Sequence, residues 1–155
     1  MKTCILLFFF TLLIVNGCRQ TPELSEAQRA TVTTEVQLAL HATADSVQAN
    51  GLIGWLPFLD KSPDFNWQFR NVGTPYDTLV DQIKHVSPQN RSVNLSWDSI
   101  QVEPKSLTEA WITVKYKETF VDFSGKQSPA SGMIKAQMHK VADSWKFRKV
   151  NTQPD

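Results

Sequence analysis

One acidic side chain interrupts an apolar pattern in the last third of the chain. Residues 112–120 alternate in polarity, as a strand does when one face is buried and the other is solvated. Glu118 falls on the apolar side, between Tyr116 and Phe120. A carboxyl group in an apolar pocket has a raised pKa and can act as a general acid or base. Glu118 and Tyr116 are therefore the candidate catalytic pair, and the alternative is a Glu that reaches solvent or pairs with a cation.

Four aromatic side chains are candidates for the lining of a ligand pocket. They lie in or beside short apolar segments and are Trp55, Phe58, Trp67 and Trp97. Aromatic residues line many small-molecule sites, but they also fill hydrophobic cores. The sequence leaves both roles open for these four residues.

Motifs for metal, phosphate or nucleophilic chemistry are missing from the sequence. The three histidines, His41, His85 and His139, lie on three different predicted elements, without the close spacing of a metal site. There is no glycine-rich phosphate loop and no Gly-x-Ser-x-Gly motif. We therefore expect no metal and no cofactor.

The charge balance argues against a nucleic-acid partner. The chain has 16 basic and 15 acidic residues, and one of the basic residues, Lys2, lies in the predicted leader. Nucleic-acid binding usually requires a basic stripe, which a neutral domain lacks. We expect no nucleic acid among the partners.

The first seventeen residues have the pattern of a targeting segment. Lys2 precedes an apolar run at residues 4–15, which is too short to span a bilayer comfortably, and Gly17-Cys18 follows. This arrangement resembles the lipobox of bacterial lipoproteins, in which a peptidase cuts before the cysteine and lipid is attached to it. The resemblance implies a signal peptide at 1–17, a tether at 18–24 and a membrane anchor on Cys18. An ordinary secretory leader with a chance cysteine is the alternative.

Residues 25–151 predict one α+β domain. Ser25 and Gln28 have the spacing of a capping box, and Thr74-Pro75 has the form of a helix start. In chain order, the predicted elements are a helix at 26–49, a short helix or turn at 51–59, a strand at 65–69, a helix from 74–75 to about 86, a strand over 93–102 and a three-stranded meander over 109–150.

The longer strands predict a bent sheet. The apolar parity switches between Trp97 and Ile100, which indicates a bulge. A sheet with one apolar face must bury that face, and the upstream helices are the available cover. We therefore predict a strongly bent antiparallel sheet wrapped around the N-terminal helices in a cone-like, single-domain fold.

This element order, the bulge and the final run from Ser144 to Val150 resemble the nuclear-transport-factor-2-like superfamily, and in particular its SnoaL-like branch. The resemblance covers about residues 24–150 and implies a cone with a pocket at its open end. It implies no single activity, because the superfamily contains enzymes, binders and assembly modules. Ketosteroid isomerase, a member of the superfamily, uses carboxylates and a tyrosine in its pocket. In this sequence only Asp60 or Asp64 matches its catalytic base, and the match is loose. The rival fold is a cystatin-like sheet with a single helix, and it has no element that corresponds to the predicted helix at residues 74–86.

We expect a lipid-anchored protein of the bacterial cell envelope, facing the periplasm or the exterior, that binds a small apolar ligand or a protein partner without catalysis. The alternative is a cofactor-independent isomerase, dehydratase or hydrolase that uses Glu118 and Tyr116. A closed pocket with an ionisable group would favour the enzyme, and a filled cone would favour a protein partner. Lysines on the outer face, Lys115, Lys117 and Lys135, argue against a large apolar interface, so a monomer and a homodimer both stay open.

Overall fold

The computed structural model describes residues 23–155. The predicted signal peptide, Cys18 and most of the predicted tether lie outside the described residues. The helices are α1 (Glu26–Asn50), a 3₁₀ helix (Gly51–Phe58), α2 (Tyr76–Val86) and a second, three-residue 3₁₀ turn (Ser87–Gln89). The strands are β1 (Asn66–Phe69), β2 (Val72–Thr74), β3 (Asn90–Pro104), β4 (Glu109–Asp122), β5 (Gln127–Val141) and β6 (Ser144–Pro154).

The six strands form one sheet in the order β2-β1-β6-β5-β4-β3. Its curvature and the helices that it covers make a single α+β domain, so the predicted fold class is confirmed. Every neighbouring pair is antiparallel except β1 and β6, which run parallel. The sheet is therefore mixed and not wholly antiparallel as predicted, because β1 and β6 are far apart in the chain and no hairpin joins them.

Helix α1 begins at the predicted capping box. The side chain of Ser25 accepts a hydrogen bond from the backbone N–H of Gln28 (3.2 Å), and the Gln28 side chain accepts one from the backbone N–H of Ser25 (2.9 Å). The buried residues of α1 recur every three or four positions and are Val32, Val36, Leu40, Thr43 and Val47. This stripe is the apolar face that the sheet covers.

The start of α2 differs from the prediction. Thr74 is the last residue of β2, and Pro75 occupies the N-cap position without any side-chain capping bond. Strand β2 is only three residues long, and its residues Val72 and Gly73 are exposed. A short, exposed strand leaves no alternation of polarity, so the sequence pattern did not reveal it.

Bulges along the described strands bend the sheet. The register shifts between Trp97 and Ser99 on β3, which confirms the predicted change of parity. Another shift next to Met138 leaves Arg148 as an extra residue on β6. Each extra residue increases the local twist and bends its strand.

Side-chain hydrogen bonds join α1 to both halves of the bent sheet. The indole N–H of Trp97 on β3 donates to the backbone oxygen of Leu40 (2.8 Å). On the other side, Glu35 accepts from Nε1 of Trp145 (2.9 Å) and from Nζ of Lys140 (2.8 Å). These two bonds hold the pKa of the Glu35 carboxyl below its usual value, so it stays ionised at neutral pH.

The outer face of the sheet is largely polar. Lys115, Lys117 and Lys135 are exposed there, as the alternating pattern predicts. Trp111 is the large aromatic residue on this face, with 41% of its surface exposed. Among the described residues, no helix is long and apolar enough to span a membrane.

Candidate functional site

The inner face of the sheet does not close completely on the helices. A cavity of about 350 Å³ remains between β4, β5, the 3₁₀ helix and α2. This volume lies at the small end of the range of about 300–1,000 Å³ that is usual for small-molecule sites. Exposed residues, Phe69 and Ala130, belong to its lining, so the cavity is open to solvent.

Trp55 forms one wall of the cavity, and the glycine before it determines where the indole lies. A Cβ atom on Gly54 would lie 2.2 Å from the backbone oxygen of Ser46. Only glycine therefore lets the 3₁₀ helix lie directly on the last turns of α1. The next side chain, Trp55, lies under the sheet, where it contacts aromatic side chains of three strands.

Edge-to-face contacts surround the Trp55 ring. Its centroid lies 5.3 Å from that of Trp67, 5.6 Å from that of Phe147 and 6.1 Å from that of Trp97. Such contacts stabilise aromatic pairs beyond simple burial and fix the relative angles of the rings. The wall of the cavity at Trp55 and Trp67 is therefore rigid.

Glu118 lies in this apolar space as the parity of β4 predicts. Its Oε1 atom is buried and accepts no hydrogen bond from any residue of the described chain. Burial raises the pKa of Glu118 from its ordinary value of 4.5 to about 7, and a hydrogen-bonding contact between the Trp55 side chain and the carboxyl group acts in the opposite direction. Near neutral pH both protonation states of Glu118 are thus populated.

Tyr116 lines the same cavity, two residues from Glu118 on the same face of β4. Burial raises the pKa of its phenol, and the charges of Glu118 and Asp155 raise it further. The phenol is therefore neutral at physiological pH and available as a hydrogen-bond donor. Together, Glu118 and Tyr116 offer an acid or base and a neutral donor in a mostly apolar space.

The structure brings together only part of the predicted site. Glu118, Tyr116, Trp55 and Trp67 line the cavity. Phe58 and Trp97 do not belong to its lining. Trp97 instead bonds to Leu40, and Phe58 is half-buried against the core. The sequence pattern identified all four aromatics as buried or half-buried but did not indicate which of them border empty space.

Several lining residues were not predicted. Leu79 and Ile83 come from α2, and Thr152 comes from the end of β6. The hydroxyl oxygen of Thr152 is buried and has no hydrogen-bond partner in the described part of the chain, as is also true of the carboxyl oxygen Oε1 of Glu118. The available signal was the continued alternation of Val150 and Thr152, which extends the last strand beyond the predicted end at residue 150.

The two aspartates that loosely match the base of ketosteroid isomerase lie elsewhere. Asp60 is buried and accepts a hydrogen bond from Nε of Arg148 (2.6 Å). The same guanidinium donates to Nδ1 of His139 (3.0 Å). Asp60 is therefore engaged in an ion pair outside the cavity lining, and Asp64 is exposed.

The thirteen residues that line the cavity include no lysine, arginine or histidine. Within residues 23–155 no group of three or more His, Cys, Asp or Glu side chains is arranged to hold a metal ion. Glu118 and Tyr116 are thus the titratable groups of this cavity.

Comparison with known proteins supports the fold. No family model matches the sequence, and no curated protein matches it. A candidate scytalone dehydratase from Novosphingobium aromaticivorans DSM 12444 superposes with a TM-score of 0.74 at 13% identity, over 84% of this chain and 89% of the other. A nuclear transport factor 2-like superfamily protein from Salmonella enterica gives 0.68 at 12% identity, over 81% and 92%.

A third solved structure with this fold is the hexachlorocyclohexane dehydrochlorinase LinA-type3 from Novosphingobium barchaimii LL02. It gives a TM-score of 0.64 at 12% identity, over 84% of this chain and 91% of the other. Identities this low show a shared fold and no shared activity. The chain therefore has the nuclear-transport-factor-2-like fold.

The raised pKa of Glu118 predicts a specific dependence of stability on pH. The folded protein holds this proton up to about pH 7, whereas the unfolded chain releases it near 4.5. The free energy of unfolding therefore falls as the pH rises from about 4.5 to 7, by about 3 kcal/mol from this group. Glu118→Gln stays neutral, so the variant should be more stable than the wild type at pH 8 by this amount and similar at pH 4.5.

Urea unfolding of both proteins at several pH values measures this difference. Glu103→Gln is the matched control, because Glu103 is an exposed carboxylate on β3 paired with Lys105, and we expect its effect to stay below about 1 kcal/mol. A clear loss of stability in Glu118→Gln at pH 8 would instead make Glu118 a structural partner of a cation.

Proposed function

We propose that this domain binds a small, mostly apolar molecule in the cavity, with Glu118 as its polar anchor and without catalysis. The observation that carries the proposal is an open apolar cavity whose wall contains a buried, unpartnered carboxyl oxygen. A buried polar atom without a partner costs free energy, which a ligand can recover by making the missing hydrogen bond. An open cavity favours a small molecule over the protein partner that a filled cone would suit.

The lining defines what such a molecule must offer. It needs an apolar body to cover the side chains of Trp55, Leu79 and Ile83. It also needs a hydroxyl, amine or amide hydrogen that reaches Oε1 of Glu118. A strongly acidic ligand is disfavoured, because its charge would be buried beside a carboxyl group with no lysine, arginine or histidine among the lining residues.

The neutral dye 1-aminoanthracene tests this proposal, because it combines an apolar body with one amine. We expect its fluorescence to rise on binding to the full-length protein. Ala130→Phe places a ring at an exposed position of the cavity lining and should weaken binding at least about tenfold, since the ring competes for the same space. Met133→Phe, on the outer face of the same strand, should leave the affinity unchanged within about twofold.

Circular dichroism and thermal unfolding verify that both variants fold. If folded Ala130→Phe binds the dye as tightly as Met133→Phe and the wild type, the dye lies elsewhere and the proposed cavity function is rejected.

A catalytic role for Glu118 and Tyr116 is the second candidate, and the raised pKa of Glu118 favours it. A general base is most effective when its pKa lies near the working pH, and the pKa of Glu118 is about 7. Glu118 would take a proton from carbon, and the neutral Tyr116 phenol would donate to the oxygen on which charge develops. Such a pair would serve an isomerase or dehydratase, or a hydrolase if Glu118 activates water. Two of the similar structures are those of a candidate scytalone dehydratase and a hexachlorocyclohexane dehydrochlorinase, which agree with this class.

The conversion of cyclohex-3-enone to its conjugated isomer tests proton transfer, because ultraviolet absorbance reports it directly. In the catalytic alternative, the wild type accelerates the reaction and Glu118→Gln loses at least about 100-fold in rate. The variant should still bind 1-aminoanthracene, which shows that the cavity is intact. Equal rates for the wild type and Glu118→Gln would reject catalysis by this residue on this substrate class.

We further propose that the protein is anchored to a bacterial membrane through lipid on Cys18, with the domain facing the periplasm or the exterior. The apolar run followed by Gly17-Cys18 supports this proposal. More than one acyl chain is needed for stable anchoring, and the lipoprotein pathway supplies several.

Labelling cells with an alkyne analogue of palmitate tests the anchor. We expect Cys18→Ser to remove the label and to move the protein out of the membrane fraction. Cys4→Ser is the control, because Cys4 belongs to the predicted leader, and it should keep both the label and the membrane location. An unchanged label and location in Cys18→Ser would reject the lipoprotein proposal.

A further inference from the structure

Two polar atoms in the cavity wall lack hydrogen-bond partners, and they lie on different strands. Oε1 of Glu118 on β4 and Oγ1 of Thr152 on β6 are both buried and unpartnered within residues 23–155. Thr152 has only 6% of its surface exposed, and both residues line the same cavity. Buried polar groups are paired in nearly all native proteins, so two orphan atoms on residues that line one cavity point to partners that the chain does not supply.

The register of the sheet separates these two atoms. On the intervening strand β5, the residue opposite Glu118 is Ala130, and the residue opposite Thr152 is Ile134. Glu118 and Thr152 are thus separated by four residues along β5 and by two strand spacings across the sheet. On a flat sheet their Cα atoms would lie about 16 Å apart, and on a bent sheet they lie closer together. One small polar group therefore does not bond to both side chains at once.

The wall between the two positions is mostly apolar. Ile134 lies directly beside Thr152, and the ring of Tyr116 occupies the row between the two orphan groups. Trp55, Leu79 and Ile83 cover the cavity from the side of the helices. A molecule that spans the cavity is thus polar at its ends and apolar along its middle.

We propose that the cavity takes an elongated ligand with a hydrogen-bonding group at each end, one bound by Glu118 and the other by the Thr152 hydroxyl. This inference rests on the proposed small-molecule function and specifies the chemical class of the ligand. Thr152 is then a second specificity-determining residue, because its hydroxyl both donates and accepts and so suits a terminal hydroxyl, amide or ketone.

Displacement of 1-aminoanthracene from the full-length protein by 1,10-decanediol and by 1-decanol tests the two-ended ligand. The two alcohols share one apolar chain and differ only in the second hydroxyl. Thr152→Val removes the orphan hydroxyl and keeps the shape of the side chain. We expect it to weaken decanediol binding about three- to tenfold, the effect of one lost hydrogen bond, and to change decanol binding less than twofold.

Thr152→Ser is the matched rescue variant, because it keeps a hydroxyl at this position, and it should retain most of the affinity for decanediol. If Thr152→Val changes both alcohols equally, or leaves decanediol binding unchanged, the two-ended inference is wrong while decanol binding still supports the cavity. If neither alcohol displaces the dye from the wild type, the inference fails. If dye binding is also insensitive to Ala130→Phe, the proposed function fails with it.

Discussion

The contact between Gly54 and the last turns of α1 is the constraint on which the interior depends. Because a glycine lies against the Ser46 backbone, the 3₁₀ helix can cross α1 with no side chain between them. Trp55 is then carried into the middle of the molecule, where it packs against Phe147 in the core and against Trp67 beside the cavity. One side chain thus belongs to both the core and the site, so the packing of the core fixes the geometry of the cavity.

The cavity stays unfilled because the aromatic cluster on one side of it is tightly packed, whereas helix α2 on the other side is only lightly packed. The aromatic cluster around Trp55 resists collapse, since its edge-to-face contacts fix the angles between the rings. Helix α2 has no fully buried residue, and its apolar side chains Leu79 and Ile83 face the open space. The domain therefore buries less apolar surface here than a filled core would bury.

Glu118 and Thr152 depart from the rule that buried polar groups are paired. Such departures reduce stability and are most often retained where a protein binds or reacts with something. Asp60 shows the contrast within the same chain. It is removed from solvent more completely than Glu118 and has the guanidinium of Arg148 as its partner, and it lies outside the cavity lining. Burial alone therefore does not separate these two carboxylates, which differ in their partners and in whether they line the cavity.

Local patterns of residues were enough to predict the class of the fold, the capping box that begins α1, the bulge on β3 and the inward position of Glu118. These features depend on neighbours a few residues apart, and the periods of helices and strands record them directly in the order of residues. Tertiary structure decided which aromatics border the cavity, the parallel pairing of β1 with β6 and the partners of Asp60. It also decided that Thr152 faces the same space as Glu118. These features join residues that are far apart in the chain, and no local pattern encodes which distant surfaces meet or where the packing between them leaves a space.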